Sequence, residues 1–96
     1  MTSIIKKSSG VLPWTIDEIE KIPAEKGVYV LRNLPTQNGI VLINYTDNLK
    51  QTLKEAWELK STPETAWFDW YEVGTKEYGQ DLLKKWIVKY SPKYNL

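Results

Sequence analysis

The side chains that most often carry out chemistry on a substrate are scarce in this sequence. The chain has 96 residues, of which 12 are acidic and 13 are basic, and it contains neither His nor Cys. Without these residue types the sequence excludes a Ser-His-Asp triad, a thiol nucleophile, a disulfide framework and the usual zinc sites. A metal site would have to be built from oxygen ligands alone, and we predict no metal ligand.

Two pairs of acidic residues have a spacing that general acid–base catalysis could use. Asp17 precedes Glu20, and Glu55 precedes Glu58, by three residues in each case. Both pairs fall on predicted exposed helix faces, where solvated charge is the usual explanation. We therefore assign no catalytic role to either pair.

Basic side chains form the most coherent candidate surface. The net formal charge is only +1, which predicts no long-range attraction to nucleic acid or to anionic lipid. Every charged side chain after Asp81 is nevertheless a lysine, whereas the only arginine is Arg32. Forked donors for phosphate or guanine are therefore scarce. We predict a modest phosphate-contacting surface that draws on Lys50, Lys54, Lys84, Lys85 and Lys89.

The elements that would position these side chains begin with a short helix and a hairpin. Thr15 and Glu18 form the pattern of a capping box, which predicts a helix over 16–21. The β-branched and aromatic residues of 27–33 and 40–45 predict an antiparallel hairpin. Its continuous apolar character indicates burial on both faces.

The second half of the sequence predicts two longer helices with a strand between them. Apolar residues at helical spacing predict helices over 48–59, capped by Thr46-Asp47, and over 78–90. The aromatic run 67–73 predicts a strand, and its alternating set with Asp69 is better suited to a surface, although Glu72 leaves this open. The result is an α+β fold in the order α-β-β-α-β-α, with a small three-stranded β-sheet flanked by helices.

The chain is expected to form one domain. A polar start predicts a flexible N-terminal segment over 1–12, followed by a single domain over 13–96. A chain of this length supports one hydrophobic core. It has no signal peptide and no apolar run long enough to cross a bilayer, so we expect a cytoplasmic protein without membrane contacts.

Three strings of residues, each weak alone, become specific through their order and spacing. They are Ile22-Pro23 followed by Gly27-Val28-Tyr29, the run from Val41 to Leu49, and the end of the chain from Leu82 to Pro92-Lys93-Tyr94-Asn95. In this order they resemble the GIY-YIG nuclease superfamily over about residues 22–96. The resemblance implies a GIY-YIG-like fold and, in active members, divalent-metal hydrolysis of phosphodiesters.

The resemblance also implies where catalytic residues should stand. The family has a tyrosine on the first strand that helps to activate water, a tyrosine and a glycine on the second strand, a phosphate-stabilising arginine on the following helix, and a metal-binding glutamate on the last helix. The corresponding positions here are Tyr29, Leu42, Asn44, Thr52 and Leu83. Threonine cannot stabilise developing negative charge as a guanidinium does, and leucine cannot bind a cation.

We therefore expect a non-catalytic binding module with a degenerate GIY-YIG site and no cofactor. Its partner would be nucleic acid, bound weakly through the lysines above, or a protein docked through exposed aromatic residues. The alternative is a divergent endonuclease acting on DNA, which would use Tyr29 with carboxylates from elsewhere and would need Mg²⁺. Tyr29 also has a plain explanation as a half-buried strand aromatic, and Leu83 as a core leucine.

Overall fold

The sheet of this protein has five strands rather than the three that the sequence predicts. A computed structural model of the chain describes residues 5–95. Its strands are β1 (Ile5–Ser8), β2 (Leu12–Pro13), β3 (Gly27–Arg32), β4 (Ile40–Thr46) and β5 (Trp67–Val73). Its helices are α1 (Ile16–Glu20), α2 (Leu49–Leu59) and α3 (Lys76–Tyr90), and single 3-10 turns lie at Gln37–Gly39 and Lys93–Asn95. The α+β class is confirmed.

The two additional strands begin within the segment 1–12, for which the sequence predicts no strand. β1 pairs antiparallel with β5, with Ile5 opposite Val73 and Ser8 opposite Tyr71, and β2 pairs with β5 further along. Backbone hydrogen bonds hold these strands in the sheet. Because such bonds do not depend on residue type, the polar side chains gave no sign of the strands. Residues 1–4 lie outside the described residues.

β3 is the centre of the sheet. The strand order is β1-β5-β3-β4, and every pair is antiparallel. β3 is therefore hydrogen-bonded on both sides, and all six of its residues are buried. The predicted hairpin of 27–33 and 40–45 is confirmed in β3 and β4, with Tyr29 opposite Asn44.

The sheet separates two apolar clusters, because successive residues of β3 point to opposite faces. We call one side the α1–α2 face. There Tyr29 and Leu31 form a cluster with buried residues of α1, α2 and β5, namely Ile19, Leu49, Leu53 and Phe68. On the other side, which we call the α3 face, α3 covers Val28, Val30, Ile40 and Ile43. Most of the predicted apolar stripe of α3 packs on this second cluster: Leu82, Leu83, Trp86 and Tyr90.

The chain after α3 returns to the outer edge of β4. An edge strand presents backbone groups without strand partners. The Asn95 carboxamide satisfies those of Ile43, since its Oδ1 accepts from the Ile43 nitrogen at 2.9 Å and its Nδ2 donates to the Ile43 carbonyl at 2.8 Å. Packing is equally close at Gly79, where an added Cβ would lie 2.6 Å from the Tyr45 ring. These contacts fix α3 against β4.

Helix caps explain where two of the helices begin. The Thr15 hydroxyl accepts from the backbone nitrogen of Glu18, as the capping box predicts. At α2 the cap is Asn48 rather than the predicted Thr46 and Asp47, because the Asn48 side chain accepts a backbone N–H from the first turn. Within residues 5–95, none of these helices is long and apolar enough to span a bilayer.

Candidate functional site

Tyr29 lies on β3 at the position of the family's first-strand tyrosine, and it is buried more deeply than the sequence suggests. Its side chain is 5% exposed, within the cluster of the α1–α2 face. Burial raises the pKa of the Tyr29 phenol, and a hydrogen bond with Asn44 offsets this only in part. A phenol that holds its proton this firmly is a poor general base at neutral pH.

Leu42 stands where the resemblance implies the second tyrosine, and it also faces the α1–α2 side. Leu42 pairs with Leu31, whereas Ile40 pairs with Arg32, so Val41 is an extra residue in β4. This bulge directs Val41 and Leu42 toward the same cluster. A hydrocarbon side chain therefore occupies the implied position of a phenol.

Thr52 occupies the implied arginine position on α2. Its hydroxyl lies 2.5 Å from the hydroxyl of Thr46. The Thr46 hydroxyl also accepts from the backbone nitrogen of Asn48 at 3.1 Å. This small network ties the start of α2 to the end of β4, and it has no charge to offer a phosphate.

Leu83, at the implied position of the metal-binding glutamate, packs against the cluster of the α3 face. Its hydrocarbon offers no donor to a divalent cation, so the residue does not fit the magnesium site that the fold family implies. Among residues 5–95, no group of three or more acidic side chains is arranged to hold a metal ion.

A buried ion pair on the α3 face corrects the prediction that Asp69 is better placed at a surface. Asp69, which lies on β5 opposite Val30 of β3, is fully buried. Arg32 donates to both of its oxygens, from Nε to Oδ1 at 2.8 Å and from Nη2 to Oδ2 at 3.1 Å. The Tyr71 hydroxyl donates to Oδ2, and Arg32 Nη1 donates to the Thr36 carbonyl at 3.0 Å.

This network changes the proton affinity of its members. Desolvation lowers the pKa of Arg32, but the hydrogen bond and charge of Asp69 outweigh it, so the net shift is upward. Burial and the Asp69 carboxylate together raise the pKa of Tyr71. The sequence held one signal for this site, because an acid that is buried in an aromatic strand needs a cation, and Arg32 is the only arginine.

The five predicted nucleic-acid-binding lysines lie in two separate places. Lys84, Lys85 and Lys89 are exposed along α3. Lys50 and Lys54 belong to α2, which covers the other face of the sheet. Lys54 lies 3.6 Å from Glu20 of α1, so part of its charge is compensated.

Comparison with known proteins connects this geometry to one fold. No family model matches the chain, and no curated protein matches it in sequence. Solved structures do match. One is the magnesium-bound GIY-YIG N-terminal endonuclease domain of UvrC from Thermotoga maritima, with a TM-score of 0.73 at 23% identity over 84% of this chain and 94% of that one.

A second structure of the same Thermotoga maritima domain gives an equivalent result. This point mutant, with one tyrosine replaced by phenylalanine, matches with a TM-score of 0.72 at 22% identity over 84% of this chain and 93% of that one. The fold is therefore that of a GIY-YIG domain, and the resemblance seen in the sequence is confirmed at the level of the fold. Both of these matching structures are of the endonuclease domain of UvrC.

Proposed function

We propose that this chain is a non-catalytic binding module that keeps the GIY-YIG fold and contacts nucleic acid through α3. The observation that carries the non-catalytic part is the packing of Leu83 against the apolar cluster of the α3 face. Hydrolysis of a phosphodiester needs a cation or a cationic side chain where negative charge develops. At the positions that the resemblance implies, a leucine and a threonine supply neither.

The remaining positions support the same proposal. The Tyr29 phenol has a raised pKa and is enclosed by the cluster of the α1–α2 face. Loss of one strong transition-state contact typically costs ~10²–10³ in rate. Here three implied contacts are changed together, at Leu42, Thr52 and Leu83.

The endonuclease alternative would need a tyrosine with a nearby carboxylate, and Tyr45 with Asp47 is one such pair. The Tyr45 hydroxyl donates to Asp47 Oδ1 at 2.9 Å. Burial, followed by the influence of Asp47 and Glu77, raises the pKa of Tyr45 to about 12. A hydroxyl that is protonated over the whole physiological range does not activate water efficiently.

The nucleic-acid part of the proposal depends on the exposed lysines of α3. Lys84, Lys85 and Lys89 lie on one helix, away from its packed stripe, so a phosphate backbone can approach them without any change in the fold. Three neutralised phosphates predict a slope of about −3 for log affinity against log salt concentration on duplex DNA. We therefore expect weak binding that fades rapidly as salt rises.

The test is a titration of isotopically labelled protein with a short blunt duplex at several salt concentrations. We expect amide shifts along α3, intact DNA on a gel with and without Mg²⁺, and loss of binding in the triple variant Lys84→Gln, Lys85→Gln, Lys89→Gln. The matched control is the double variant Lys50→Gln, Lys54→Gln on the other face of the sheet, which should retain most binding.

Two results would overturn the proposal. Cleavage that requires a metal and disappears in Tyr29→Phe would establish the endonuclease alternative. Absence of any shift at low salt would exclude nucleic acid and favour a protein partner.

A further inference from the structure

A polar pocket lies where α3 ends, beside the turn between β3 and β4. Its volume is about 490 Å³, within the ~300–1,000 Å³ usual for small-molecule sites. Gln37 and Asn38 of the turn, Ser91 after the helix, and Lys93 contribute polar side chains. None of them is a position that the GIY-YIG resemblance assigns to catalysis.

Two lysines give this pocket its positive charge. The Lys89 ammonium lies 5.2 Å from the centroid of the Tyr90 ring, and the Lys93 ammonium lies 2.8 Å from Glu64 Oε2. The neighbouring guanidinium of Arg32 is engaged elsewhere, because its nitrogens donate to Asp69 and to the Thr36 carbonyl. An anionic ligand would therefore be held by Lys89, and by Lys93 where the ligand replaces Glu64 as its partner.

The rest of the lining suits a flat, partly apolar group with polar edges. Ile40 and Tyr90 supply an apolar and aromatic wall. The carboxamides of Gln37 and Asn38 each carry a donor and an acceptor, which is the combination that hydrogen-bonds the edge of a nucleobase. One pocket thus joins cations for a phosphate to a wall and amides for a base.

Ser91 adds a strained backbone at the same place. It ends α3 in the left-handed conformation, at φ 44° and ψ 59°, where glycine is the favoured residue. Lys60 ends α2 in the same way, at φ 52°, but it lies outside this pocket. Non-glycine residues in this conformation often accompany functional sites, and Lys60 offers a matched control.

We propose that this pocket receives one unpaired nucleotide of a nucleic-acid strand, with its phosphate at Lys89 and Lys93 and its base against Ile40 and Tyr90. A base within a duplex is stacked between its neighbours, whereas an unpaired base can leave the stack and enter a pocket. This inference rests on the proposed function, because it adds a base-binding subsite to the lysine surface of α3.

The experiment compares a short blunt duplex with the same duplex carrying a single-stranded overhang of a few nucleotides. Stacking and phosphate contact should make the overhang bind at least about fivefold more tightly. Amide shifts of the overhang complex should extend to 37–40 and 90–93, while the indole signals of Trp14 and Trp57, which line a separate groove, should stay unchanged.

Two substitutions with opposite expected effects on the overhang preference test the contact between Lys93 and the phosphate. The overhang preference is the ratio of the affinity for the overhang duplex to that for the blunt duplex, and Lys93→Gln should lower this ratio roughly 3–5-fold. Glu64→Gln should increase the preference, because Lys93 would lose its ion-pair partner and keep its charge for the phosphate. Lys84→Gln, on α3 outside the pocket, should weaken blunt and overhang duplexes equally. If Lys93 had only a structural role, Glu64→Gln and Lys93→Gln would change the overhang preference in the same direction.

Glycine substitutions at the two left-handed positions separate backbone strain from binding. Ser91→Gly and Lys60→Gly should both keep or raise the melting temperature, since each relieves the same strain. Only Ser91→Gly should reduce the overhang preference. Equal effects of the two variants on binding would overturn the assignment of Ser91 to the pocket.

The outcomes distinguish this inference from the proposed function. If neither duplex binds at low salt, the proposed function fails and this inference with it. If the blunt duplex binds through α3 and the overhang adds nothing, only the pocket proposal is overturned. If a free nucleoside monophosphate binds as tightly as the overhang, the ligand is a free nucleotide and not part of a strand.

Discussion

The two faces of the sheet treat polar groups in different ways. On the α1–α2 face, the Tyr29 side chain is buried in an apolar cluster, and the Thr52 hydroxyl pairs with that of Thr46. On the α3 face, Arg32 and Asp69 form a buried ion pair, lysines line the exposed side of the helix, and a pocket opens at its end.

The non-catalytic role proposed above accounts for this difference. Where the resemblance implies tyrosine, arginine and glutamate, the chain has side chains that pack or pair locally, and the cluster stays filled. A fold depends on apolar packing and backbone hydrogen bonds, whereas activity depends on a few exposed groups. Activity can therefore be lost while the fold is kept. The charged α3 face is therefore the better candidate for present function.

Removal of Asp69 should have the largest effect. Asp69→Ala leaves the Arg32 guanidinium in a buried place without its partner, and we expect the free energy of unfolding to fall by about 3–5 kcal/mol. Urea denaturation measures this directly. Asp81→Ala, which removes an exposed acid from α3, should change it by no more than about 0.5 kcal/mol. Similar losses of unfolding free energy in the two variants would mean that the buried ion pair contributes no more to stability than an exposed acid does.

Restoration of the family's acid should cost less but should still be unfavourable. Leu83→Glu places a carboxylate against the apolar cluster of the α3 face, and we expect a loss of about 1–3 kcal/mol. Lys84→Glu, one residue further along the exposed side, is the matched control and should be nearly neutral for stability. An unchanged melting temperature in Leu83→Glu would contradict the packing described here.

The double variant Thr52→Arg, Leu83→Glu extends the same comparison to activity. It should not cleave DNA with Mg²⁺, because Leu42 and Asn44 also depart from the family pattern. Efficient cleavage would show that the rest of the site remains competent.

The smallest expected effect compares one tyrosine from each face at alkaline pH. Burial raises the pKa of both Tyr29 and Tyr71, and the Asp69 carboxylate raises that of Tyr71 further. Because both values are higher in the folded protein than in the unfolded chain, this stabilisation is fully present below about pH 10 and is lost as the pH rises through the folded values.

Phenylalanine variants give the measurement for this pair. Tyr71→Phe should flatten the alkaline loss of stability more than Tyr29→Phe, with a difference under about 1 kcal/mol after allowance for screening at a partly exposed ring. Urea denaturation from pH 9 to 12 would check it. A steeper loss in Tyr71→Phe would show that Asp69 does not hold the phenolic proton.

Local sequence patterns are sufficient to predict the central hairpin, the three helices and the likeness to a GIY-YIG domain. These features depend on local patterns: the alternation and runs of apolar residues in β3 and β4, the cap at Thr15, and the stripe of α3 from Leu82 to Tyr90. The sequence also predicts which positions depart from the family pattern, because Thr52 and Leu83 can be counted from neighbouring motifs. Residue type alone then indicates what those positions cannot do.

Contacts between distant segments of the chain, in contrast, could be seen only in the tertiary structure. β1 is held by backbone pairing with β5 and has no side-chain pattern of its own, so the sequence suggested a flexible start. Asp69 is buried because Arg32 of a neighbouring strand neutralises it, although the two residues are 37 positions apart. The separation of the α2 and α3 lysines, and the pocket between a turn and a helix end, likewise arise from contacts between segments distant in the chain, which no local pattern encodes.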